Sequence, residues 1–107
     1  LLALEYSELR TLAALTVGKA PGPESSILKI VGTELAQSMD EMLVELAGYG
    51  CLPFLPEQYE EGFEGEIFGP GNSASAALTY FNNRKLSIFG GSNEIQRNII
   101  SKAVLGL

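Results

Sequence analysis

Six apolar residues, Leu28, Val31, Leu35, Met39, Met42 and Leu46, recur through residues 24–47 at steps of three and four. Only a helix puts positions so spaced on one side of the chain. At ~1.5 Å per residue the helix is on the order of 35 Å long, and its continuous stripe must be laid against other helices. Gly32 interrupts it at a cost of about 1 kcal/mol relative to alanine. Either a neighbouring helix comes close at that point, or the glycine is a tolerated defect.

Three further helical segments surround this one. Residues 2–17 carry Leu2, Tyr6, Leu9, Ala13 and Val17 on one face, widened by Leu4, Leu12 and Leu15, so this helix is covered on more than one side. "GKAPGPES" then breaks the chain at Gly18, Pro21, Gly22 and Pro23. Residues 74–89 share Ala74, Ala77, Leu78, Phe81, Lys85 and Ile88, with Asn72 or Ser73 as the N-cap. Residues 93–105 follow Ser92 and align Ile95, Ile99 and Ala103. No strand, internal repeat or low-complexity tract is discernible. The fold class read from the sequence is all-α, an antiparallel four-helix bundle forming one domain over residues 1–107.

The segment 49–73 stands apart. It holds three prolines and five glycines and lacks a helical period. Five glutamates, Glu57, Glu60, Glu61, Glu64 and Glu66, crowd its middle, which reads as a solvated acidic loop. Phe54, Tyr59, Phe63 and Phe68 give it something to pack with. Connections in helical bundles usually run about 2–8 residues, so one this long is functional, ordered against a neighbour, or mobile.

Composition narrows the functions. The net charge of −6 argues against nucleic acid or an anionic membrane as partner. There is no histidine, which removes the commonest general base and metal ligand. Cys51 is the only cysteine, so neither an internal disulfide nor a cysteine zinc site forms, and no metal site is expected. A lone thiol fits a reducing compartment, and the expected location is cytoplasmic. No run is long enough to span a bilayer. The first helical pattern starts without a methionine or a cap, which leads us to expect a piece of a longer protein.

"IFGGSNEIQRNII", residues 88–100, concentrates the chemical interest. Gly90 and Gly91 break the chain, Ser92 caps the amides of Glu94 or Ile95, and Glu94 places a carboxylate in the first turn. All of this can simply start a helix. Alternatively, the free amides at a helix start meet a ligand. Glu94 would repel a phosphate, so such a ligand presents hydroxyl or amide groups.

"FGGSNEIQRNIISKAVLGL", residues 89–107, resembles the C-terminal signature of the acyl-CoA dehydrogenase family: a glycine and a threonine or serine, a short polar pair, then Ile-Gln-Arg. "LLALEYSELRTLAAL" and "APGPESSILKIVGTELAQ" resemble the preceding helices of bacterial members, so the likeness covers nearly the whole chain. It implies an FAD enzyme that takes a hydride from the β-carbon of an acyl-CoA thioester while a carboxylate removes the α-proton. The electrons pass to an electron-transfer flavoprotein. It also implies a C-terminal helical domain through which a homo-oligomer, dimer or tetramer, is built.

Residue by residue, the resemblance makes Gly91 line the thioester end of the substrate, and Ser92, Asn93 and Glu94 contact the flavin. Gly90 stands where one branch carries the catalytic glutamate and can take no proton, so no catalytic residue is assigned in this chain. Other branches supply that carboxylate from an earlier helix. Gln96 and Arg97 are expected to make structural hydrogen bonds. Lys102 matches a basic position near the CoA moiety, although a solvated lysine is the plainer reading. Gly48 and Gly50 partly match a glycine-rich loop that meets a neighbouring subunit's flavin, and the acidic segment behind them departs from the compact version. The alternative to the enzyme is a non-catalytic acyl-CoA dehydrogenase-like interaction subunit.

Overall fold

The computed structural model describes residues 1–66, 68–71 and 73–107. The regular elements among them are all helical, with no strand. The α-helices are α1 (Leu2–Thr16), α2 (Glu24–Ala47), α3 (Ser73–Asn83) and α4 (Asn93–Ile100). The described residues divide into two compact units, Leu1–Leu35 with Leu86–Leu107, and Ala36–Lys85. The first half of α2 belongs to one unit and its second half to the other.

In the first unit α1 and the start of α2 run antiparallel. Leu1, Leu4, Leu28, Val31 and Leu35 line a shared groove. Leu4 lies over Gly32, where an added Cβ would stand 4.0 Å from the leucine methyl. That is ordinary van der Waals contact, so α1 is the neighbour that covers Gly32 without requiring a glycine there. α4 meets the same half of α2 in the parallel sense. Asn93 reaches Lys29 and Thr33, and Arg97, one turn further along α4, reaches Glu34.

In the second unit α3 returns antiparallel to the end of α2. Leu43 and Leu46 share a groove with Ala76 and Thr79, and Gln37 and Asp40 meet the far end of α3. Asn83 donates to the buried Asp40 carboxylate at 2.8 Å. The Gln37 amide donates to the carbonyls of Asn83 and Arg84, each at 3.2 Å. These carbonyls are satisfied from α2, and the backbone tightens into a 3-10 turn over Arg84–Ser87 instead of continuing as α-helix. The helical pattern of residues 74–89 therefore resolves into a shorter helix and a turn.

The connection between α2 and α3 is more ordered than its composition suggests. It contains 3-10 turns at Gly48–Cys51 and Pro56–Tyr59. Gly50 and Gly69 bring two backbones together: a Cβ on Gly50 would lie 3.0 Å from the Gly69 Cα, and one on Gly69 would lie 2.9 Å from the Gly50 Cα. Gly69 also has φ +88, which side chains rarely adopt. Beneath this crossing sit the most buried residues of the unit, Cys51 and Ser73. The Ser73 hydroxyl faces the carbonyls of Phe68 and Pro70, and the Cys51 thiol faces that of Gly48. Tyr59 donates its hydroxyl to the Ala74 carbonyl, while Phe54 and Phe68 stay exposed. The five loop glutamates are exposed. Asn72, one of the two N-cap candidates for α3, lies outside the described residues, and Ser73 is the first residue of that helix.

The last turn widens. After Ile100 the chain passes into a π-turn, Ser101–Leu105, which Gly106 ends in the left-handed region at φ 71.

Candidate functional site

Residues 90–94 form a sharp corner into α4. Gly90 and Gly91 both have positive φ, +69 and +86. They set the chain direction, and Ser92 then sits at the N-cap with its hydroxyl accepting from the Ile95 amide at 3.4 Å. Gln96 folds back and donates to the Gly90 and Gly91 carbonyls, at 3.3 and 3.5 Å. Arg97 forms an exposed ion pair with Glu34 at 3.0 Å. Gln96 and Arg97 thus make the structural hydrogen bonds expected of them.

The four residues singled out by the resemblance face different ways. Gly91 is exposed, and a Cβ there would meet the Gln96 amide nitrogen at 2.7 Å. Ser92 is half-buried. The Asn93 side chain turns inward and is only 6% exposed. Its Oδ1 accepts from the Lys29 ammonium at 2.7 Å, and its Nδ2 donates to the Thr33 hydroxyl at 3.2 Å. Glu94 is fully exposed. Its carboxyl is held below the ordinary range by a hydrogen bond from its own backbone N–H and by the Ser92 hydroxyl. Arg97 and Lys29 add smaller attractions. The hydroxyl of Ser92 therefore serves two groups, accepting from an amide and donating to a carboxylate.

Lys29 and Thr33 gave no functional signal in the sequence. What could have found them is their spacing: two polar residues one helical turn apart, inside a segment whose stripe is otherwise apolar. Other residues marked by the sequence lie elsewhere. Lys102 is exposed on the π-turn, and Gly50 is engaged by Gly69 within the α2–α3 connection. No cluster of metal-ligating side chains occurs among the described residues.

A flavin can be tested against this donor set. A Cβ on Gly90 would meet nothing within 4 Å, so the outer side of the corner is open. The junction also offers an ionised carboxylate and a serine hydroxyl, which suit ring N–H and hydroxyl groups and repel a pyrophosphate. The corner fits the polar edge of a flavin and not its phosphates.

An all-α chain with two glycines and a serine cap ahead of Glu-Ile-Gln-Arg defines a helical domain whose distinctive part is a helix start. The family model for the acyl-CoA dehydrogenase C-terminal domain matches residues 3–105, and the chain belongs to that family. No curated protein and no solved structure matches it. No helix among the described residues is long and apolar enough to cross a membrane.

Proposed function

We propose that this chain is the flavin-contacting and oligomerising C-terminal domain of an FAD-dependent acyl-CoA dehydrogenase. The observation that carries the reading is the corner at residues 90–94: open over Gly90, capped by Ser92, with an ionised Glu94 in the first turn, and followed by the family's Ile-Gln-Arg. When bound, FAD supplies the acceptor for the hydride that leaves the β-carbon of an acyl-CoA thioester. The chain's own residues bind and orient. Ser92 and Glu94 face the flavin's polar edge, and Asn93, turned inward, meets it through the backbone. Gly91 lies at the thioester end of the substrate, where a side chain would crowd it.

No residue here removes the α-proton. Gly90 occupies the position of the carboxylate in one branch of the family, so that group comes from elsewhere in the parent protein. The parent is proposed to hand its electrons to an electron-transfer flavoprotein and to assemble as a homo-oligomer. Gly90 also favours the second reading, a relative that has kept the fold as an interaction subunit without the reaction. A carboxylate facing the flavin from an upstream helix of the parent separates the two.

The test uses the flavin-loaded parent protein. Glu94→Ala removes the exposed acceptor and is expected to weaken FAD binding about tenfold, the worth of one charge-assisted hydrogen bond. Unchanged FAD affinity in both Glu94→Ala and Ser92→Ala would sink the assignment. The 107-residue chain by itself is expected to retain no stoichiometric FAD and to oxidise no acyl-CoA.

A further inference from the structure

Asn93 is the first residue of α4, and its side chain is the buried tie between the corner and α2. The ammonium of Lys29 only donates, so the 2.7 Å contact identifies the Asn93 atom facing it as the oxygen. The amide nitrogen then points to Thr33. That hydroxyl has one proton, and the Ile30 carbonyl takes it at 2.9 Å, leaving the oxygen to accept from Asn93 Nδ2 at 3.2 Å. Asn93 Oδ1 also lies 3.3 Å from the Thr33 hydroxyl, a longer contact than the one that hydroxyl makes to the Ile30 carbonyl. Among the described residues no carboxylate comes within ion-pair distance of Lys29; the ion pair beside it joins Arg97 to Glu34. A half-buried cation is thus committed to a neutral amide oxygen. That contact strengthens the hydrogen bond beyond an ordinary one, and it costs Lys29 part of its hydration.

We propose that Lys29 is a positioning residue for the junction at residues 90–94. Through Asn93 it fixes the first turn of α4, and so sets where Gly91, Ser92 and Glu94 stand against a bound flavin. Gln96 holds the two glycine carbonyls from the helix side, and Lys29 holds the helix start from α2. The corner is clamped at both ends and its outer side stays free. The proposal rests on the flavin reading of this junction for its consequence, and on the Lys29–Asn93 contact for its mechanism.

Two measurements separate those supports. In the 107-residue chain, Lys29→Met keeps the length of the side chain and removes the donor. Amide hydrogen exchange at Ile95 and Gln96, which bond to Ser92, is expected to quicken about tenfold, and Lys29→Arg is expected to restore it. In the flavin-loaded parent, Lys29→Met is expected to weaken FAD binding by a similar factor, again with rescue by arginine. Exchange at Ile95 and Gln96 that is as slow in Lys29→Met as in the native chain overturns the proposal. Faster exchange with unchanged FAD affinity also overturns the proposal when Glu94→Ala and Ser92→Ala still weaken FAD binding; when they do not, it is the flavin reading that falls.

Discussion

Glu94 shows how much one exposed side chain can report. Its folded pKa lies below its unfolded value, so the stability it contributes is present above about pH 4.5. That contribution is lost as the pH falls through the lowered folded value. Thermal melts of the native chain and Glu94→Gln should therefore differ in favour of the native chain near neutrality and converge in acid below pH 4.5. Ser92→Ala removes both the cap and the donor to Glu94. It should cost about 1 kcal/mol and move the carboxyl back toward its ordinary range, measured by unfolding and by side-chain NMR titration. Gly32 carries the opposite prediction. A Cβ there meets Leu4 at normal contact distance, so Gly32→Ala should stabilise the chain by about 0.5–1 kcal/mol in denaturant melts.

At the level of elements, α3 is bounded by contacts that its own sequence does not contain. Its first turn rests on the crossing of Gly50 and Gly69, and its last carbonyls are met from α2 by Gln37. Gly69→Ala must force apart two backbones already in contact and also adopt a positive φ. It should loosen the start of α3 and uncover Cys51, now only 2% exposed. Labelling of that thiol by iodoacetamide, slow in the native chain, should rise by an order of magnitude or more. At the other end, Asp40→Ala leaves the half-buried Asn83 amide without its acceptor, at a cost of about 1 kcal/mol by equilibrium unfolding.

Across the whole molecule, charge and apolar surface are unevenly shared. The unit Ala36–Lys85 carries eight carboxylates against two cations, whereas in the other unit five balance five. The entire net charge of −6 therefore sits on one unit. Apolar side chains lie open on both, among them Tyr6 on α1 and Met42 and Leu46 on α2. Such faces find partners, and the chain is expected to self-associate in light scattering at micromolar concentration. Raising the salt should strengthen that association, because screening weakens repulsion between the acidic units while leaving apolar contact intact.

Periodicity alone was enough to place all four helices, with the ends of α2 at Glu24 and Ala47, because apolar spacing is a local property of the chain. The likeness of "GGSNEIQR" to a family signature was equally local, and it led to the acyl-CoA dehydrogenase family that the matched domain shows. The inward turn of Asn93 and the pairing of Gly50 with Gly69 were not legible there. Nor was the early end of α3 at Asn83. Each depends on a partner well outside its own helical turn: Lys29 for Asn93, Gly69 for Gly50, Gln37 for the α3 carbonyls. Hydrogen bonding and close approach between distant segments are settled only when the chain packs, and packing decides which polar residue at a helix start faces outward and which one holds it in place.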